Sequence, residues 1–275
     1  MPYKLRLGRI RYLNVLPVYF ALEQVFSENG FHLVTGTPAE LNGRLRRGEL
    51  DLSAISAMEF ARFPQEYLLL PDLSISSKGP VGSVILFSRT PAAALDGEPL
   101  WVSAASASGT ALLKVLMSEL LGVTPVYQAR SLTGSSRENC AGVLAIGDEA
   151  LSLKLAGAWP FELDLGAAWE ELTGLPFVFG VWAVRRDFAA RRPQPAAALH
   201  RLLLQSRDWG LAALPELSRR AARRSSMSEA QALAYFQQLN YSLGPEHERG
   251  LSTFFGYLAK LGELEQAPQL EYFKG

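Results

Sequence analysis

The chain has few of the residues that build disulfides, metal sites and nucleophilic triads. Its 275 residues include one cysteine and three histidines. A single cysteine excludes an internal disulfide and a cysteine-rich metal site. The histidines, His32, His200 and His247, fall in predicted strands and helices away from the small-residue loops, which argues against a histidine triad or a histidine metal site. Any catalysis must therefore proceed without the usual strong bases.

The chain also lacks an excess of charge and a long apolar run. Lys plus Arg and Asp plus Glu both number 27, so nothing predicts a nucleic-acid surface or an acidic partner. Four arginines at 219, 220, 223 and 224 fit a solvated helix face. No apolar run is long enough to span a membrane, and the opening MPYKLRLGRI lacks a signal-peptide core. We expect a cytoplasmic protein that binds neither nucleic acid nor membranes.

Strand and helix patterns alternate along the first 61 residues, which predicts an α/β fold with a mostly parallel sheet. The alternation restarts after Pro91, and from Pro195 onward the pattern is helical. Two long apolar strands, near 81–87 and 177–184, separate these parts. We expect residues 1–88 with 185–275 to form one lobe and 89–184 an inserted second lobe. The hinge strands then lie near 84–90 and 178–185, with a ligand cleft between the lobes. The alternative is one continuous sheet.

The stretch SISSKGPVGSVILFS, residues 74–88, joins a hydroxyl-rich and glycine-rich corner to an apolar strand that Ser83 interrupts. Such a corner can bind an anion through backbone N–H groups and hydroxyls. The alternative is an ordinary turn before a core strand. The segment by itself does not decide between the two.

Two further polar residues follow predicted strands, at the sheet edge where α/β proteins hold ligands. Asn14 comes after the strand at 4–10, and its amide can both donate and accept. It could equally cap the next helix, which contains Pro17. Ser56 follows the strand at 50–55 and could be only an N-cap.

Two loops of the second half give similar signals. The segment SASGT, Ser106 to Thr110, leads into a helix predicted over 111–121. Free N–H groups and hydroxyls at Ser108, Gly109 and Thr110 would suit a carboxylate or phosphate, although either hydroxyl residue could be a plain N-cap. Asp148 follows the strand VLAI and could be an acid or base, a hydrogen-bond anchor, or the cap of a helix starting at Glu149. We favour the cap.

Taken together, these segments resemble the chorismate dehydratase family of the futalosine route to menaquinone, in order and over nearly the whole chain. The segments that carry the resemblance are RIRYLNVLPVYFAL, ELNGRLRRGELDLSAISAMEFAR, YLLLPDLSISSKGPVGSVILFS, SASGTALLKVL, AIGDEAL, ELTGLPFVFGVWAVRRD and LGPEHERGLSTFFGYLAKLG. The resemblance implies a two-lobed fold like that of type II periplasmic binding proteins. It also implies a hydro-lyase that removes water from chorismate without a metal or organic cofactor.

The resemblance further implies roles for the candidate residues. Asn14, after the motif RYL, becomes the leading catalytic residue. The substrate-binding residues would be Ser56, Ser83, Ser108, Gly109, Thr110 and Asp148. We expect a small-molecule substrate and either a monomer or a dimer.

Two rival functions differ in class. The related 1,4-dihydroxy-6-naphthoate synthase carries a histidine in its second lobe as the proposed base, whereas the comparable stretch here, AIGDEAL, has none. A solute-binding protein for a small carboxylate would share the fold but perform no chemistry. Such a protein normally carries an export signal or lipid anchor, which the opening residues do not resemble.

Overall fold

The computed structural model describes residues 4–26, 30–103, 107–130 and 140–275. Within these ranges, ten strands form two five-stranded sheets, with the orders β2-β1-β3-β10-β4 and β7-β6-β8-β5-β9. The strands are β1 (Leu5–Ile10), β2 (Phe31–Gly36), β3 (Leu52–Ser56), β4 (Tyr67–Ser77), β5 (Val84–Ser88), β6 (Pro99–Val102), β7 (Val126–Ala129), β8 (Gly142–Ile146), β9 (Phe161–Asp164) and β10 (Phe177–Arg185).

Helices cover these sheets and form most of the chain after β10. They are α1 (Leu16–Gln24), α2 (Pro38–Arg46), α3 (Ala57–Arg62), α4 (Ala107–Glu119), α5 (Gly147–Ala156), α6 (Leu165–Thr173), α7 (Arg186–Arg191), α8 (Pro193–Ala212), α9 (Leu214–Ala222), α10 (Glu229–Gln238) and α11 (Pro245–Lys260). Within the described ranges, no helix combines the length and apolar composition needed to cross a membrane.

Both sheets are mixed. In the first, β1 is parallel to β2 and β3, whereas β10 is antiparallel to β3 and β4. In the second, β6 is parallel to β7 and β8, whereas β5 is antiparallel to β8 and β9. The α/β class is therefore confirmed. The expected mostly parallel pairing holds for half of each sheet, because the strands that enter from the other sheet run against their neighbours.

Helix α2 begins with a capping box. The Thr37 hydroxyl accepts a hydrogen bond from the Glu40 N–H at 3.3 Å, and the Glu40 carboxylate accepts one from the Thr37 N–H at 2.8 Å. This reciprocal pair satisfies two of the N–H groups that a helix start leaves open. The hydrogen bond from the Thr37 backbone also holds the pKa of Glu40 below its usual value. Pro38, at the first helical position, thereby keeps a fixed place beside the cavity described below.

Strand β4 and the end of the chain depart from the sequence-based expectation. Pro71 and Asp72 break the alternation within β4, and Asp72 has a positive φ of 56°. Proline has no N–H to donate to a sheet, so this stretch does not read as a strand. The sequence predicts helix from Pro195 to the end of the chain, whereas the last helix of the structure ends at Lys260. The residues after it pair with the edge of β4, where the Leu69 N–H donates to the Glu271 carbonyl at 2.9 Å.

The strand pairing also bears on the expected lobe boundaries. The chain enters the second sheet between Ser77 and Val84 and returns to the first between Asp164 and Phe177. The expected boundaries place 84–88 with the first lobe and 177–184 with the second, whereas the pairing associates each strand with the other sheet. We therefore propose two crossing segments, residues 78–83 and 165–176, as the limits of the lobes.

The two crossing segments meet at Asp164, the last residue of β9. Its carboxylate accepts hydrogen bonds from the N–H groups of Val81 at 3.0 Å and Gly82 at 2.7 Å in the first crossing segment. It also caps α6 by accepting from Gly166 at 2.9 Å and Ala167 at 3.2 Å. One carboxylate thus fixes both passages between the sheets.

Gly166 allows this close approach. A Cβ on Gly166 would stand 2.5 Å from the Gly79 carbonyl oxygen and 2.8 Å from the Ser77 hydroxyl. Real Cβ atoms do not approach backbone so closely, so any side chain here would push the crossing segments apart. The small residue at this position is therefore a packing requirement of the crossing.

Replacing Asp164 with Ala should lower the free energy of unfolding by about 2–4 kcal/mol, because the change removes an N-cap and the acceptor for Val81 and Gly82. Urea denaturation measures this change. Glu162→Ala, at an exposed position on the same strand, is the matched control and should stay within about 0.5 kcal/mol of the parent. Equal midpoints for the two variants would show that the crossing does not depend on Asp164.

Candidate active site

A cavity of about 100 Å³ lies between the two sheets. The wall is formed by residues of both sheets, of their connecting segments and helix starts, and by one residue that follows α10. They are Ile10, Tyr12, Asn14, Val15, Pro38, Ala54, Ile55, Ser56, Ile75, Val81, Ser83, Val84, Ala107, Ser108, Gly109, Ile146, Gly147, Phe179, Gly180, Trp182 and Leu239. The cavity is the place where the ends of β1, β3 and β8 meet residues of β4, β5 and β10.

Asn14 lies in a short 3₁₀ turn, Leu13–Val15, between β1 and α1. It does not cap α1, since the N-cap position belongs to Val15. Its Oδ1 is buried and has no hydrogen-bond partner among the described residues. A buried amide oxygen without a partner costs about 1–3 kcal/mol. An unsatisfied amide on the cavity wall is therefore ready to meet a polar group of a bound molecule.

Ser83 also lines the cavity and is 3% exposed. Its hydroxyl accepts a hydrogen bond from the Tyr235 hydroxyl at 3.0 Å, and its carbonyl accepts one from the Gly147 N–H at 2.7 Å. Burial raises the pKa of Tyr235, so its phenol keeps its proton. Ser83 is thus held between α10 and the start of α5.

The starts of α3 and α4 meet at the cavity. Ser56 is the N-cap of α3, and its hydroxyl accepts from the Glu59 N–H at 3.1 Å. The Ser108 hydroxyl accepts from the Met58 N–H at 2.9 Å, which links the two helices. The capping alternative for Ser56 is thus realised, although the residue also lines the cavity.

The sequence places the start of α4 too late. Ala107 is already helical, so Ser108, Gly109 and Thr110 lie in the first helical turn instead of in a loop before Ala111. Ser106 lies outside the described residues. Small polar residues favour loops and caps in isolation, but here the Ser108 hydroxyl accepts a hydrogen bond from the neighbouring helix and keeps its own proton.

Thr110 and Asp148 do not belong to the cavity wall. Asp148 does not cap a helix at Glu149, because α5 begins at Gly147 and Ile146 holds the N-cap position. Its carboxylate accepts instead from the Leu13 N–H at 3.3 Å, which joins α5 to the turn that carries Asn14. Loss of hydration raises the pKa of Asp148, and the bond from Leu13 opposes that shift. Asp148 is therefore a hydrogen-bond anchor beside the site.

Several wall residues do not stand out in the sequence. The Tyr12 ring packs 3.3 Å from where a Cβ on Gly147 would stand, and Gly147 has a φ of 57° that suits glycine. Burial, and then the charge of Asp148, raise the pKa of Tyr12, so its phenol stays neutral. Trp182 is fixed because its Nε1–H donates to the Tyr19 hydroxyl at 3.1 Å. The strand ends at RYLN and AIGD indicate the positions of Tyr12 and Gly147, whereas Trp182 lies within an apolar strand and gives no separate signal.

The described part of the cavity wall carries no formal charge. Of the wall residues within the described ranges, none is Lys, Arg, His, Asp or Glu. Elsewhere in these ranges, no three His, Cys, Asp or Glu side chains converge in a way that could hold a metal ion. The site therefore offers a bound molecule one amide, four hydroxyls, backbone N–H groups and apolar contact.

Comparison with known proteins gives the family. The family model described as menaquinone biosynthesis matches residues 5–260. The chain belongs to this menaquinone biosynthesis family. It is also 34% identical over 263 residues to the chorismate dehydratase of Thermus thermophilus, an alignment that covers 90% of this chain and 93% of that protein. The family predicted from the sequence motifs is confirmed.

Solved structures confirm the fold. Protein AF1704 from Archaeoglobus fulgidus superposes with a TM-score of 0.75 at 18% identity, covering 96% of this chain and 99% of that one. The periplasmic aliphatic sulphonate binding protein SsuA from Escherichia coli gives a TM-score of 0.68 at 14% identity, covering 100% and 95%. This chain therefore has the periplasmic-binding-protein fold that the sequence predicts.

The Ser108 contact gives a test of how the lobes meet. Ser108→Ala should lower the free energy of unfolding by about 1–2 kcal/mol, because the buried Met58 N–H loses its acceptor. Thr110→Ala, two residues along the same helix and outside the cavity wall, is the control and should cost less. Thermal or urea denaturation of the pair measures the difference. A larger loss for Thr110→Ala would contradict this account of the contact.

Proposed function

We propose that this chain is a chorismate dehydratase, a hydro-lyase that converts chorismate to 3-[(1-carboxyvinyl)oxy]benzoate and water in menaquinone biosynthesis by the futalosine route. The observation that carries the proposal is the 34% identity to a chorismate dehydratase over 90% of the chain. The cavity supports it, since the neutral polar groups of its described wall suit a small polar substrate.

Chorismate carries two carboxylates, yet the described cavity wall has no cation. Neutral donors can hold such groups when they are fixed in advance and shielded from water. Ser83 on one side, and Ser108 with Gly109 at the start of α4 on the other, are the groups that we assign to the carboxylates. Ser56 lies near the second group as a further hydroxyl. Thr110 and Asp148 have no direct contact in this proposal, because neither lines the cavity.

The reaction breaks one ring C–H bond and the ring C–OH bond. The proton and the hydroxide leave as water, and the electrons of the C–H bond complete the aromatic ring. No described wall side chain is a strong base. In this proposal a carboxylate of the substrate takes the proton, while the Asn14 amide orients the substrate and polarises the leaving hydroxyl. Aromatisation supplies much of the driving force, so positioning can account for catalysis.

Incubation of the purified protein with chorismate tests the proposal directly. We expect chorismate to disappear as 3-[(1-carboxyvinyl)oxy]benzoate forms in equal amount. Chromatography and mass spectrometry measure both compounds. Chorismate that binds but stays unchanged would favour a solute-binding function. Turnover of a cyclic futalosine derivative in place of chorismate would favour the naphthoate synthase.

Asn14→Ala should lower kcat/KM for chorismate by about a hundredfold or more while leaving the fold intact, because it removes the unpartnered amide from the cavity. Asn42→Ala is the matched control: its Oδ1 is also buried without a partner among the described residues, but Asn42 lies on α2 away from the wall. Asn42→Ala should keep nearly full activity. Near-full activity in Asn14→Ala would remove Asn14 from the mechanism.

A further inference from the structure

Tyr235 touches the candidate site without forming part of its wall. It lies on α10, far along the chain from Ser83, and is 4% exposed. Its hydroxyl donates to the Ser83 hydroxyl at 3.0 Å. Among the described residues, the Ser83 hydroxyl has no other hydrogen-bond partner. A buried tyrosine hydroxyl normally finds a partner, and here that partner faces the cavity.

The direction of this hydrogen bond determines what Ser83 can do. A serine hydroxyl has one proton and two lone pairs. Because Tyr235 donates to one lone pair, the Ser83 proton must point elsewhere, and the cavity is where an acceptor can lie. Burial raises the pKa of Tyr235, which keeps the phenol protonated and therefore a donor. The Ser83 hydroxyl, held by Tyr235, thus presents a hydrogen-bond donor to a bound molecule. Such a donor suits a carboxylate.

The surroundings hold both members of the pair in place. On the Ser83 side, the Asp164 carboxylate fixes the preceding Gly82 N–H. On the other side, α10 packs close to this segment, since a Cβ on Gly82 would meet the Gln238 side chain at 2.9 Å. Leu239, just after α10, lines the cavity itself. The distance between the two hydroxyls is therefore set by packing, and a bound molecule does not have to create it.

We propose that Tyr235 is a positioning residue that orients the Ser83 hydroxyl as a donor to a carboxylate of the substrate. This inference rests on the proposed function. Without the tyrosine hydroxyl, the Ser83 hydroxyl can rotate and donate its proton to another acceptor. The substrate must then reorient this hydroxyl before it can bind. Substrate binding should weaken, whereas the bond-breaking step should change little.

Tyr235→Phe removes one oxygen and leaves the ring in place. We expect KM for chorismate to rise about fivefold, the effect of one neutral hydrogen bond, with kcat within about twofold of the parent. Tyr241→Phe is the matched control. Tyr241 is 2% exposed, and its hydroxyl has no partner among the described residues. That variant should leave KM unchanged, and denaturation midpoints show whether either change disturbs the fold.

A double-mutant cycle separates positioning from a structural role. If Tyr235 acts through Ser83, Tyr235→Phe should raise KM in the parent but have almost no further effect in a Ser83→Ala background. An unchanged KM in Tyr235→Phe, or the same rise in both backgrounds, would overturn the inference. Failure of the proposed function itself looks different, because the parent protein would then leave chorismate unchanged.

Discussion

The carboxylate of Asp164 accepts hydrogen bonds from four backbone N–H groups, and the cavity geometry depends on this arrangement. Two of these groups belong to the first crossing segment and two to the start of α6. Since Ser83 follows Gly82 directly, the position of the Ser83 hydroxyl is set by the same carboxylate. A charged acceptor is stronger than a neutral one, so a single residue can fix two chain passages that are distant in sequence.

The site is complete only where the two sheets meet, because each sheet supplies part of it. Asn14 comes with the first sheet, Ser108 and Gly147 come with the second, and hydrogen bonds beside the cavity join the parts. The Met58 N–H donates to Ser108 and the Leu13 N–H donates to Asp148. Both contacts lie next to wall residues, so any change in lobe position would also alter the cavity. The contact between the lobes and the exclusion of water from the cavity are therefore coupled in this fold.

The sequence predicts the parts of the site that follow strands, because an α/β sheet brings its strand ends to one edge. Asn14 and Ser56 are found in this way, whereas Ser83 is found because it interrupts an apolar strand after a hydroxyl-rich corner, and the structure places all three on the cavity wall. Tyr235 and Leu239 cannot be predicted from strand ends, because a helical pattern far along the chain does not indicate what the helix packs against. Strand β4 is not predicted for a local reason: Pro71 and Asp72 interrupt its alternation, and the pairing with β10 shifts register there.

The same fold serves binding and catalysis, so the difference must lie in particular groups. A binding site gains by satisfying every polar atom of its ligand and of its own wall. Here the Asn14 oxygen is left without a partner among the described residues, at a cost to stability, while Ser83 is held in one orientation. Groups that are fixed before the substrate arrives lose little on reorganisation when charge develops in the transition state. In the proposed loss of water from chorismate the product ring becomes aromatic, so the reaction is strongly favourable, and the neutral groups of the described wall would act mainly by positioning the substrate.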